Sequence, residues 1–109
     1  MRGGEADTPA ARCAGAVYRA FLELERAAFA DGALPKKVKE LIAIGISVVI
    51  NCESCMQWHV EQAARAGATE QEVLAAVEVV IEMGGGPATA HARFAVAAMA
   101  DVFERDNDT

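Results

Sequence analysis

The sequence predicts an all-α fold, a compact multi-helical domain of about five main helices, and three observations predict it. Of the 109 residues, 53% are hydrophobic but only 6% are aromatic. The apolar surplus is Ala, Val and Ile, and Ala favours helices because it loses no side-chain entropy in one. Only three prolines are present to break helices. Apolar residues recur at spacings of three and four, and the intervals between these segments carry helix start and stop signals.

Residues 1–8 are small and polar and are expected to be disordered, while 9–104 are expected to form a single helical domain and 105–109 a disordered tail. Thr8 and Pro9 give an N-cap followed by proline at the first helical position. The first helix carries Val17, Phe21, Leu24 and Ala28 on one face and stops at Asp31 and Gly32. Pro35 opens a second, in which Val38, Leu41, Ile42, Gly45, Val48 and Val49 form an apolar stripe. Ile44, Ile46 and Ile50 lie off that stripe, so this helix is predicted to be apolar nearly all round and buried on several sides. The run Ile44 to Ile50 is also compatible with a short buried strand, but nothing nearby offers a partner strand.

Asn51 interrupts the pattern, and Cys52 to Ala66 reads as a third helix ended by Gly67. Thr69 and Glu72 make a capping box for a fourth, whose buried face is Val73, Leu74, Val77, Val80 and Ile81. Gly84, Gly85 and Gly86 end it. Pro87 starts a fifth, with Phe94, Ala98, Val102 and Phe103 inward.

Composition excludes several function classes. A net charge of −6 argues against nucleic acid, whose binders neutralise phosphates with clustered Lys and Arg, and equally against an anionic membrane surface. The longest strongly apolar run, Leu41 to Ile50, is about half of what a membrane-spanning helix needs. The first fifteen residues lack the apolar core of a secretory signal, so a cytoplasmic location is expected. A small apolar chain has hydrophobic faces left over after folding, which predicts a homo-oligomer. Three cysteines are too few for a disulfide scaffold, and a close pair points to redox or metal chemistry.

The chemistry concentrates in Asn51-Cys52-Glu53-Ser54-Cys55-Met56-Gln57-Trp58-His59. At 100° per residue, Cys52, Cys55 and His59 fall within about 60° of one another around a helix. Two thiols three residues apart can form a disulfide and be reduced again, which makes a two-electron switch. A helix N-terminus and a neighbouring imidazole can populate the thiolate, and His59 lies one turn from Cys55. Zinc is the rival reading, because Cys-x-x-Cys is also a zinc half-site. A structural zinc needs four ligands, however, and His91, Glu40 and Cys13 stand at no recognisable ligand spacing.

The series Glu40, Cys52, Cys55, His59 resembles the alkylhydroperoxidase D-like branch of the carboxymuconolactone decarboxylase family. The likeness extends over roughly residues 15–103, through Glu40-Leu41-Ile42, Trp58-x-x-x-Glu61-x-Ala63, Ala66-Gly67-Ala68, Glu72-Val73 and Met83-Gly84-Gly85-Gly86-Pro87. It implies an all-helical fold, a trimer-based oligomer, in particular a hexamer, and reduction of hydroperoxides or disulfides with a dithiol as electron donor and no bound cofactor. By the same resemblance Cys55 attacks peroxide, Cys52 resolves, and His59 and Glu40 belong to a proton relay. The helix-dipole argument alone favours Cys52 as the more reactive sulfur. One departure stands out: the better-known peroxidases carry a further histidine between the cysteines, where this sequence has Ser54. The decarboxylase activity that names the family needs no cysteine pair and is the enzymatic alternative; a non-enzymatic redox-sensing scaffold is the other.

Of the remaining residues, Trp58 is expected in the core or at a subunit interface, and His91 as a packed or solvated side chain. Lys36, Lys37 and Lys39 read as a solvated face. Gly84 to Gly86 read as a close helix crossing or a subunit contact.

Overall fold

The computed structural model describes residues 9–108, and the side chains of residues 15–105. Four helical elements follow in order: α1 (Pro9–Phe29), α2 (Lys36–Val49), α3 (Glu53–Arg65) and α4 (Glu70–Asp108). No strand occurs among the described residues; the stretch Ile44 to Val49 continues a helix that Ile50 caps. The expected disordered segment 1–8, with its Thr8 cap, and the end of the tail at Thr109 lie outside the described residues. The chain divides into two compact units, one up to Ala30 and one from Asp31 onward, and the stretch 9–104 expected as one domain is described in these two parts.

The first unit contains α1, which is strongly amphipathic and bends at Gly15, where φ is +49°. Arg26 and Glu23, one turn apart, form an ion pair on it. The second unit is a three-helix assembly in which α2, α3 and α4 each pack on the other two. Its α2 begins after Pro35, with the Lys36 backbone N–H donating to Asp31 Oδ1 at 2.6 Å. The core runs through Ile44 and Val48 of α2, Met56, Val60 and Ala63 of α3, and Val73, Val77, Val80, Ala88, Ala92, Ala95, Met99 and Val102 of α4. The small alanines in the second arm of α4 let that arm lie close against its neighbours. Gly45 does the same for the first arm, since a Cβ there would stand 2.9 Å from Val80 Cγ2.

The predicted fourth and fifth helices are the two arms of α4, joined at Gly85, where φ is +71°. That conformation costs an L-residue about 1 kcal/mol or more and glycine little, and at Gly85 the backbone leaves the helical region, so the triple glycine breaks the helix there as expected and a second helical arm follows. The helix then runs to Asp108, through most of the expected tail; Arg105 keeps helical register, with Nε 3.5 Å from Asp101 Oδ2 and an Nη 3.4 Å from Glu61 Oε2 on α3. By length and composition the span Glu70–Arg105 is also apolar enough to cross a membrane, which a search for continuous apolar runs overlooks. The core helix of a globular protein meets the same criterion, and this one supplies the largest share of the core just described.

The apolar stripe of α2 differs from its expected placement. Glu40, Ile44, Gly45, Ser47 and Val48 are buried, whereas Ile42, Ile46 and Val49 are exposed. Leu74 of α4 is exposed as well. Alternation of apolar residues all round α2 leaves its orientation to be decided by the polar residues that need burial, Glu40 and Ser47.

The capping box at the start of α4 forms as predicted: the Glu72 N–H donates to Thr69 Oγ1 at 3.1 Å and the Thr69 N–H to Glu72 Oε1 at 2.9 Å. Lys37 of α2 adds an ion pair to Glu72 at 3.1 Å. The Thr69 backbone N–H and Lys37 together hold the Glu72 carboxyl below the usual carboxylate range. A carboxyl lowered on folding stabilises the protein above its unfolded value near 4.5 and loses that contribution as pH falls through the folded value. Glu72→Gln should therefore flatten the acid limb of the stability curve below about pH 4.5, measured as urea midpoints from pH 7 to 3. An unchanged limb would show that the carboxylate contributes nothing there.

Candidate active site

The Cys-x-x-Cys segment is positioned by a three-residue joint, Ile50 to Cys52, between α2 and α3. Asn51 adopts a left-handed conformation with φ +57°, which Asn tolerates better than most residues. Its N–H donates to Val48 O at 3.1 Å, and the Cys52 N–H donates to Ser47 O at 2.9 Å. These are the two bonds of a Schellman termination. Cys52 then serves as the N-cap of α3, its backbone extended at φ −104°, ψ 99°. One residue thus closes one helix and opens the next.

Cys52 and Cys55 are joined as a disulfide, with Cα atoms 5.2 Å apart. The Cys55 backbone N–H donates to Cys52 Sγ at 3.3 Å, and Ser54 Oγ lies 3.6 Å from the same sulfur. Both groups belong to the first turn of α3, whose unpaired N–H groups carry partial positive charge. The sulfur of Cys52, rather than that of Cys55, therefore occupies the capping position.

Glu40 lies on α2 and is 1% exposed. A buried carboxylate is costly unless charge-paired and hydrogen-bonded, and both of its oxygens are engaged. His59 Nδ1 stands 2.7 Å from Oε1, and Lys36 Nζ donates to Oε2 at 2.6 Å. Lys36 supplies a counter-charge to Oε2, and His59 Nδ1 donates to Oε1. That bond fixes the orientation of the imidazole ring. Among the described residues no buried side-chain N or O lacks a partner.

All four residues singled out from sequence belong to this one region. Cys52 and Cys55 are bonded, Glu40 meets His59 directly, and His59 follows Cys55 by one helical turn on α3, about 6 Å of rise. The expected solvated lysine face is corrected: Lys36 pairs with the buried Glu40 and Lys37 with Glu72. The signal was available in the i,i+4 spacing of Lys36 and Glu40, but nothing in the sequence marks Glu40 as buried. Trp58 is 46% exposed and so is not a core residue of the chain. His91 is packed, with Nδ1 donating to Val48 O at 3.0 Å, a contact between residues 43 apart that spacing cannot show. The side chain of Cys13 lies outside those described. Among the described residues no set of three His, Cys, Asp or Glu side chains converges to hold a metal ion.

Fold and site together define an all-helical protein with a Cys-x-x-Cys disulfide at a helix start, backed by a buried carboxylate and imidazole. A sequence profile of the carboxymuconolactone decarboxylase family matches residues 15–98, and the chain belongs to that family. It is 41% identical over 91 residues to a protein of uncharacterised function from the cox locus of Paracoccus denitrificans, covering 84% of this chain and 82% of that one. An uncharacterised protein of Cupriavidus necator is 42% identical over 82 residues, 75% of this chain and 73% of the other. Among solved structures, a carboxymuconolactone decarboxylase family protein from Legionella pneumophila superposes with a TM-score of 0.80 at 34% identity, over 84% of this chain and 82% of its own. A family member from Thermotoga maritima, for which an antioxidative role has been suggested, gives 0.77 at 27%, over 84% and 78%.

Removing Lys36 tests the charge balance at Glu40. Lys36→Met should destabilise the fold by about 1–2 kcal/mol, less than the ~3–5 kcal/mol for breaking a fully buried pair, because the ammonium end is part-exposed. Lys36→Arg should retain most of the stability. Urea denaturation reads both, and equal midpoints for wild type and Lys36→Met would mean that Glu40 does not depend on this partner.

Proposed function

We propose that this protein is a thiol-dependent oxidoreductase that cycles Cys52 and Cys55 between dithiol and disulfide. Its substrate is a hydroperoxide or a disulfide, and a separate dithiol returns the electrons. One observation carries the reading: a cysteine pair close enough to bond heads a helix one turn before a histidine whose Nδ1 is held by a buried carboxylate. The antioxidative role suggested for the Thermotoga maritima relative supports the same direction.

In this scheme the dithiol gives up two electrons and two protons as the disulfide forms. Reducing a hydroperoxide with them yields an alcohol and water; reducing a disulfide yields two thiols. His59 Nε2 takes a thiol proton, and Glu40 holds the ring through Nδ1 while favouring the imidazolium that results. Lys36 keeps that carboxylate in place.

If the relay operates, His59→Ala should slow alkylation of the reactive cysteine at pH 7 by about 10²-fold or more, the lower end of general-base assistance. Glu40→Gln should slow it less. Raising the pH should restore much of the rate by supplying thiolate directly, whereas a misfolded variant would gain nothing. Iodoacetamide rates from pH 6 to 9 decide the matter; three superimposable profiles would reduce His59 to a neighbour of the cysteines. In the same samples, a stoichiometric oxidant should consume two thiols per chain and a dithiol should restore them. Turnover of a lactone carboxylate with both thiols blocked would instead favour the decarboxylase reading.

The chain is further proposed to assemble with copies of itself, as a trimer-based hexamer. Ile42, Ile46 and Val49 of α2 and Val79 and Met83 of α4 are exposed together on one wholly apolar face. A face without charge suits an equally apolar partner, and the chain's own composition supplies one. Light scattering should give about six times the chain mass; a monomer would refute the assembly.

A further inference from the structure

We propose that His91 is a positioning residue for the cysteine pair: through Val48 O it holds the turn before Cys52, and so favours the closed disulfide over the dithiol. The inference rests on the dithiol reading above and adds to it a residue from the second arm of α4. The last carbonyls of a helix lack a donor within it, and side chains from elsewhere can supply one. Val48 O stands at the end of α2. In an unbroken helix it would accept the N–H of residue 52, but the Cys52 N–H turns back to Ser47 O at 2.9 Å and Val48 O accepts the Asn51 N–H at 3.1 Å. His91 Nδ1 donates to its other lone pair at 3.0 Å, from 43 residues along the chain. Because Asn51 already pairs that oxygen, the bond from His91 adds restraint rather than satisfying an orphan.

Packing puts His91 within reach. Ala88, Ala92 and Ala95 on the same arm are buried, as is Val48, and their small side chains keep the backbone of that arm near α2, so the imidazole spans the gap. The turn it reaches is short. Only Ile50, Asn51 and Cys52 lie between α2 and α3, and Asn51 is held at φ +57°, a conformation that L-residues adopt at a cost. Cys52 follows at once as the N-cap of α3. The place of its sulfur is therefore set by the turn, whereas Cys55 is carried by the helix itself.

That division gives the restraint a direction. In the oxidised protein the disulfide, with Cα atoms 5.2 Å apart, keeps Cys52 at the cap by a covalent bond. In the dithiol only the turn keeps it there. A bond that pins the turn removes conformational freedom chiefly from the dithiol, raises the effective concentration of one sulfur at the other, and shifts the equilibrium toward ring closure. His91 touches neither sulfur; it acts through a peptide oxygen of α2.

The test measures the equilibrium constant of the pair against glutathione at pH 7, in Cys13→Ser protein so that only the pair contributes. The pair gives up two electrons and two protons as its S–S bond forms, and each oxidised glutathione becomes two thiols. Three variants separate the donor from the bulk of the ring, each checked for helical circular dichroism. His91→Leu keeps apolar volume without a donor, His91→Ala keeps neither, and His91→Asn loses volume but carries an amide nitrogen as many bonds from the backbone as Nδ1. His91→Leu and His91→Ala should lower the constant about three- to tenfold, the range of one net hydrogen bond, while His91→Asn should stay within about twofold of wild type. Urea midpoints of the oxidised proteins report packing, which would rank the variants by volume and leave the constant unmoved. Equal constants for wild type and the two donorless variants, or an Asn variant as low as they are, would overturn the assignment. If glutathione forms no Cys52–Cys55 disulfide even in the wild-type chain, the dithiol reading itself fails and this inference with it.

Discussion

The two backbone hydrogen bonds that terminate α2, from Asn51 N–H to Val48 and from Cys52 N–H to Ser47, set the geometry on which the site depends. A longer connection would let α2 and α3 choose their crossing independently. With only Ile50, Asn51 and Cys52 between the helices, their relative direction follows from a single left-handed residue. That direction brings Glu40, twelve residues before Cys52, opposite His59, seven residues after it. It also delivers Cys52 to the cap position with its extended backbone already set.

A carboxylate inside a helix interface would ordinarily oppose folding. Here the opposition is offset locally, because Lys36 comes from the same helix one turn earlier and His59 from the facing one. The first partner forms with α2 itself, whereas the second forms only when α3 docks. Folding of the site and docking of α3 on α2 are thereby one event. The surrounding core is built from β-branched, alanine and methionine side chains, which contribute area but little directional preference. The polar trio supplies the directionality.

Much of this was legible in the residues. Asn51, Gly67 and the Thr69/Glu72 pair mark boundaries because each satisfies helix-end backbone groups by a local mechanism, and local mechanisms survive in sequence. The cysteine and histidine spacing was readable for the same reason, since positions 52, 55 and 59 share one helix. Three features were less accessible. The orientation of α2 was hidden because apolar residues surround it, so periodicity could not tell the buried face from the exposed one. The role of Lys36 depended on Glu40 being buried, a consequence of tertiary packing. The third was the direction of the helix after Gly84 to Gly86: the run marks the break, which falls at Gly85, but not the angle at which the next arm leaves.

The bend at Gly85 and the contact of His91 bear on each other. Val48 O has two lone pairs; it accepts the Asn51 N–H that closes α2 and also His91 Nδ1 from the far arm of α4. The same oxygen is thus shared by the turn before the cysteines and by a residue two helical turns past the glycine. The second arm of α4 and the closure of α2 are tied to one carbonyl oxygen. The arm beyond the glycine break and the cysteine-bearing turn therefore share one anchor, a peptide oxygen rather than a side chain.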